Sequence, residues 1–219
     1  MSLNLNKQPK MSGGVKQPLI EVGTVPARLV RVIDLGIQAQ NPYQGQEKPP
    51  AHMVDFTYEL LDVFMTDKDG NEDETKPRWI SETFPLHNPS ADLAKSTKRV
   101  KALDPNNNFE YDLTKLVGAP CMVTIGHKQS KGNTYANVIG VTPMRAKDAE
   151  RAPALKNDSV VFTLDDPDMD VFNKFPDWIK EKIQGNLEYK GSKLEEYIVG
   201  IKDGPDTNEE VSNEEEENW

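Results

Sequence analysis

Six aromatic residues interleave with basic ones along the first two thirds of the chain: Tyr43, Phe56, Tyr58, Trp79, Phe84 and Tyr135 among Arg28, Arg31, Lys48, Arg78, Lys128, Lys131 and Arg145. Flat π-faces beside cations suit one task well. The rings can stack on nucleobases of any identity while the cations neutralise phosphates, which is how single strands are held without covalent chemistry. Strand parity favours Trp79 and Tyr135 as outward-facing rings, with Tyr43 third, and leaves most of the other aromatics at core positions. Lys98 and Arg99 add two cations late in a helical stretch, where they suit either a phosphate or the negative end of the helix dipole.

Reaction chemistry lacks its residues. Cys121 is the only cysteine, and His52, His87 and His127 show none of the short spacings that ligate zinc. No phosphate-binding Gly-rich loop and no Gly-x-Ser-x-Gly elbow occurs, so no catalytic residue, metal or cofactor is expected. The run Asp67-Lys-Asp-Gly-Asn71 looks like the start of a calcium loop, but it lacks the Glu at the twelfth position and lies between strands rather than helices.

Charge divides the chain. Residues 1–145 carry 17 Lys+Arg against 16 Asp+Glu, and residues 146–219 carry 9 against 20, so the net charge of −10 belongs to the C-terminal third. A near-neutral body can still present a basic face. The last seventeen residues hold eight carboxylates, no Lys or Arg, and Trp219 at their end, a composition that predicts a disordered peptide. A solvating tail gains nothing from an exposed indole. The pattern therefore reads as a docking peptide, in which Trp219 enters a partner's pocket and Glu214, Glu215, Glu216 and Glu217 steer it onto a basic rim. A lone cysteine and the absence of an apolar span or signal segment point to a reducing cytoplasm, with no membrane partner.

The elements that would position these residues follow in order. Residues 1–18 form a polar arm with Lys7, Lys10 and Lys16. Val25 to Gln38 alternates as a long strand, placing Ala27, Leu29, Arg31, Ile33, Leu35 and Ile37 on one side, with a bend or bulge at Gly36. A Pro- and Gly-rich loop over residues 41–50 leads to a strand from His52 to Met65, a polar hairpin tip from Thr66 to Lys76, and a third strand from Arg78 to Leu86. Ser90 is placed to cap a helix from Ala91 to Leu103, and Asp112 a short turn from Leu113 to Val117 ended by Gly118. Two further strands, residues 120–125 and 134–141, flank a tip carrying Lys128 and Lys131, with no acid between Asp112 and Asp148. Beyond a linker over residues 146–158 and a short extended piece from Val160 to Leu164, helical spacing runs from Asp168 to Tyr197, with Trp178 counted among the residues that pack it on the body.

Five strands with the main helix between the third and fourth give the order of an OB-fold, a five-stranded Greek-key barrel that binds oligonucleotides. The domain reading is a basic arm over residues 1–18, a barrel over 19–145, a linker and helical extension over 146–202, and an acidic tail over 203–219.

The barrel order, the hairpin Lys-Gln-Ser-Lys-Gly-Asn-Thr-Tyr from Lys128 to Tyr135, the segment Phe-Asn-Lys-Phe-Pro-Asp-Trp-Ile-Lys-Glu-Lys-Ile from Phe172 to Ile183, and the acidic tail closing on Trp219 together resemble a single-stranded DNA-binding protein of a tailed bacteriophage. The resemblance implies a protein that coats single-stranded DNA during replication and recombination in the host cytoplasm. It implies that the tail docks on replication enzymes and competes with DNA for the barrel groove. The ending Glu-Asn-Trp, where bacterial proteins of the class end Pro-Phe, points to a phage polymerase, helicase, recombinase or nuclease as the partner, and a homodimer is admissible. On that resemblance the DNA contacts are expected among Arg28, Arg31, Tyr43, Arg78, Trp79, Lys98, Arg99, Lys128, Lys131 and Tyr135. The rival reading is an interaction module whose acidic third mimics nucleic acid and inhibits a host enzyme.

Overall fold

Alternating β-branched and aromatic residues build long strands here, as period-two patterns do. A computed structural model of the protein describes residues 17–42 and 44–202. Strands β1 (Gly23–Gln38), β2 (Ala51–Thr66), β3 (Glu72–Pro85), β4 (Pro120–Ser130), β5 (Asn133–Pro143) and β6 (Val160–Phe162) make one sheet. The order is β3-β2-β1-β4-β5, all antiparallel, with the short β6 added parallel to β1. Helix α1 (Lys95–Leu103) falls between β3 and β4 and lies against β3, β4 and β5. The protein is mainly β. Among the described residues no hydrogen-bonded ladder joins β3 to β5, although their Cα atoms come within 8 Å. No described helix is long and apolar enough to cross a membrane.

The alternation expected for β1 does not run through. A bulge between Leu29 and Arg31 inserts Val30, and a second between Asp34 and Gly36 inserts Leu35. Each extra residue exchanges the two faces. Ala27, Leu29 and Val32 therefore share one core with Phe56, Tyr58, Leu60 and Phe84 of β2 and β3, while Ile33 and Leu35 belong to a second core on the opposite face. Gly36 sits at the second bulge with φ +70, and a Cβ there would meet Asn186 at 2.8 Å, so both backbone conformation and space require glycine.

The second core is built by the C-terminal segment. After helix α2 (Ala146–Arg151), which lies within the stretch expected to be linker, helices α3 (Met169–Lys174), α4 (Asp177–Gln184) and α5 (Lys193–Lys202) follow. Asp168 caps α3 by accepting from the N–H groups of Asp170 and Val171. Phe162, Phe172 and Phe175 pack edge-on or tilted at 5.3–6.4 Å, and Ile179, Ile183 and Leu194 complete a cluster over Ile33 and Leu35. Trp178 departs from the expectation: it is 55% exposed, because Ile179 and Ile183 take the buried side of α4.

Two local expectations also change. Helix α1 begins at Lys95 rather than Ala91, since the N–H of Ser90 bonds Asn88 in a turn and Ala94 stands at the N-cap with no side-chain bond. Strand β3 begins at Glu72 rather than Arg78, because the hairpin continues as an exposed two-stranded ribbon in which Glu72 and Asp73 pair with Thr66 and Met65. The Asp67 carboxylate accepts from the N–H groups of Asp69 and Asn71 and so serves to close that hairpin. Cys121 is fully buried in the first core, where burial pushes its thiol up to about 12.

Candidate nucleic-acid interface

Strand pairing stacks three rows of side chains on the outer face of β1, β2 and β3. Arg28, Glu59 and Trp79 form the first row, Arg31, Thr57 and Ser81 the second, and Ile33, Asp55 and Thr83 the third. Residues directly opposite one another share a face, so the rows follow from register alone. The bulge at Val30 is what brings Arg31 to this side.

The rows are joined by a polar network. The Thr57 hydroxyl accepts from Arg31 Nε at 3.1 Å and lies 2.9 Å from Ser81 Oγ. Thr83 Oγ1 donates to Asp55 at 2.9 Å, and Arg31 Nη2 lies 3.8 Å from the same carboxylate. Burial raises the Asp55 carboxyl above its ordinary range, opposed by the bond from Thr83 and by the charges of Arg31 and Lys182. Burial likewise lowers Arg31, with Asp55 opposing.

Trp79 stands at the near end of these rows. It is 40% exposed, its indole N–H points to Glu59 Oε2 at 3.4 Å, and the Arg31 guanidinium lies 5.9 Å from the ring centroid. One cation and one carboxylate thus fix the ring. The geometry offers a held aromatic platform next to a partly exposed guanidinium, which can accept a stacked base and an adjacent phosphate.

Glu59 is fully buried, and sequence reasoning did not single it out. Its carboxylate accepts from the backbone N–H of Lys156 at 2.8 Å, the N–H of Asn157 at 3.2 Å and the Asn157 side-chain amide at 2.6 Å. Arg28, one row partner away, donates to the carbonyls of Gly118 at 2.7 Å, Pro153 at 2.7 Å and Ala152 at 3.0 Å. Acid and base together pin residues 152–157 against the sheet beside Trp79. The available signal was parity: Asp55, Thr57 and Glu59 alternate with the core residues Phe56 and Tyr58. Glu59→Gln replaces one acceptor by an amide that opposes a donor, so a stability loss of about 1–3 kcal/mol is expected. Amide exchange at Lys156 and Asn157 should quicken about tenfold or more, for each 1.4 kcal/mol is a factor of ten; unchanged exchange there would show that Glu59 does not hold the segment.

The other expected contacts divide by what their side chains already do. Arg28 spends its guanidinium on the three carbonyls just named. Arg99 is buried and bound by Glu82 at 2.6 and 3.0 Å, inside the molecule. Arg78 donates to the carbonyl of Pro18 at 2.6 Å, and burial lowers it from its ordinary value. Lys98 is exposed on α1, Lys48 in the β1–β2 loop and Arg145 at the start of α2. Lys128 and Tyr135 are directly opposed on β4 and β5, and Tyr135 is 49% exposed. Their hairpin closes through Lys131 and Gly132, both at positive φ (49 and 79), the two-residue turn that suits strand twist. Lys131 is exposed at that tip. Of the aromatic candidates, Phe56, Tyr58 and Phe84 are buried, whereas Trp79 and Tyr135 are exposed. Tyr43, the basic arm over residues 1–16, Glu214, Glu215, Glu216, Glu217 and Trp219 lie outside the described residues.

No protein-family model matches the sequence, and no curated protein matches it.

Proposed function

We propose that the protein binds single-stranded DNA on an OB-type barrel formed by β1 to β5, coats exposed strands during phage replication and recombination, and recruits replication enzymes through its acidic C-terminal residues. The observation that carries this reading is a pair of exposed rings, Trp79 and Tyr135, each beside a cation, Arg31 and Lys128 respectively, on strands whose other aromatics are core. Packing does not call for those rings at the surface, and base stacking beside phosphates does. The strand order β3-β2-β1-β4-β5 with α1 between β3 and β4 supports the barrel assignment.

Bound bases are unavailable for pairing, so coating removes hairpins. Eight carboxylates in residues 203–219 compete with DNA for cations at low salt, and DNA displaces them to free Trp219 for a partner enzyme. Fluorescence anisotropy of a labelled oligothymidine, titrated with the full chain and with a chain stopped after Lys202 across a salt series, tests this. Both should bind, the shortened chain more tightly at low salt, and log affinity should fall linearly with log salt by about 0.7 per phosphate contact. If neither binds, the coating reading is lost and the acidic third is better understood as a nucleic-acid mimic acting on a protein.

A further inference from the structure

Trp178 is the most exposed tryptophan among the described residues, on a helix that is otherwise firmly seated. Ile179 and Ile183 are buried in the second core, the Gln38 side chain donates to the Lys182 carbonyl at 2.8 Å, and the N–H of Leu187 donates to the Ile37 carbonyl at 2.8 Å. Helix α4 is therefore fixed to the end of β1 and cannot turn Trp178 inward. Trp178 and Lys182 are four residues apart and so lie on the same flank, one turn from each other. Ile179 and Ile183 of the same helix cluster with Ile33, the β1 member of the third row, so α4 lies over that end of the rows.

Trp79 opens the first row and α4 closes over the third at Ile33. The rows are four residues apart along β2, a separation of about 13 Å at ~3.3 Å per residue. That is roughly the rise of four stacked nucleotides at ~3.4 Å each. Between them the open side of the strip is the β3 side, with the hydroxyls of Ser81 and Thr83, while Thr57 and Asp55 of β2 are buried beneath it. A ring and a cation thus stand at each end of one polar strip: Trp79 with Arg31 at one, Trp178 with Lys182 at the other.

We propose that Trp178 and Lys182 form the far end of the single-strand track that begins at Trp79, so that a second base stacks on Trp178 and the helical extension is part of the binding surface as well as a support for β1. This rests on the single-strand reading above. An exposed indole one turn from an ammonium, on a rigid helix beside the proposed site, matches a nucleic-acid strand in both ring and charge.

The test uses the full chain with one tryptophan left at a time, the others replaced by Phe: W79F/W219F leaves Trp178, and W178F/W219F leaves Trp79. Each is titrated with an oligothymidine of about 15 nucleotides, near the upper site size of one barrel, and indole quenching is read where anisotropy saturates. Both proteins should quench. Trp178→Ala should weaken binding about tenfold, and Trp178→Phe, which keeps a ring, much less. If the Trp79 protein quenches, the Trp178 protein does not, and Trp178→Ala binds as the parent does, the track ends short of α4 and this inference is overturned while the single-strand reading stands. If anisotropy never changes with any of the proteins, both are overturned.

Discussion

Replacing Arg99 by Ala is expected to destabilise the fold by about 3–5 kcal/mol, the usual cost of leaving one member of a buried ion pair alone. Glu82 enters the core side of β3 between Ile80 and Phe84, with its side chain 4% exposed. Arg99 of α1 holds both of its oxygens, Lys95 lies 2.7 Å from one, and the Tyr58 hydroxyl donates to the other at 2.9 Å. These contacts tie α1 to β2 and β3. Removing the guanidinium leaves a buried carboxylate with only Lys95 and Tyr58, and domains of this kind have only about 5–15 kcal/mol in total. Urea unfolding should show a lower midpoint with an unchanged slope. Glu82→Leu combined with Arg99→Met and Tyr58→Phe should recover much of the loss, because an apolar cluster of similar volume leaves no buried donor without an acceptor. The experiment also separates structure from binding. An Arg99→Ala protein of normal stability but weakened oligothymidine affinity would return Arg99 to the phosphate contacts.

Much of the scaffold was legible in the sequence because period-two alternation survives over residues 54–60 of β2 and 121–125 of β4, and because Pro, Gly and Asp mark the turns between the strands. The element order β1-β2-β3-α1-β4-β5 could be read from those signals alone. Parity failed where a bulge resets it. Nothing in Leu29-Val30-Arg31 announces that Val30 is the inserted residue, so unbroken alternation puts Arg31 on the face of Leu29, whereas the bulge puts it on the opposite one. Charged residues were harder still, because sequence gives a side chain's reach but not its partner. Arg28 and Arg99 have the chemistry to hold a phosphate and hold carbonyls and a carboxylate instead. The clue was on the other strand: Glu82 at a core position between Ile80 and Phe84, and Glu59 between Tyr58 and Leu60, each require buried donors. For Trp178, helical spacing identified the buried stripe, but a ring one residue away from Ile179 lies about 100° around the helix and faces solvent.

Trp79→Ala should weaken oligothymidine binding by about 1–3 kcal/mol, about 5- to 150-fold, if the indole is a stacking platform. Its effect on the fold should be small by comparison, since the ring is 40% exposed and its one hydrogen bond, at 3.4 Å, is long. Trp79→Phe keeps a π-face and should recover most of the affinity. Arg31 is a poor choice for testing the charge beside it, because its removal also strips Asp55 of its nearest cation and disturbs the rows beneath. Lys128 is the cleaner probe: it is exposed on the β4–β5 hairpin opposite Tyr135, and its side chain makes no hydrogen bond or ion pair among the described residues. The two substitutions should leave different marks on the salt dependence. Lys128→Ala removes a phosphate contact, so the slope of log affinity against log salt should become shallower by about 0.7. Trp79→Ala removes stacking alone and should lower the line without tilting it, because no counterion is released when a base meets a ring. If Trp79→Ala binds as tightly as the parent at every salt concentration, the outer face of β1 to β3 is not where bases stack. The strand would then have to run along the Lys128–Tyr135 hairpin, and the polar rows under Trp79 would be there to hold residues 152–157 in place.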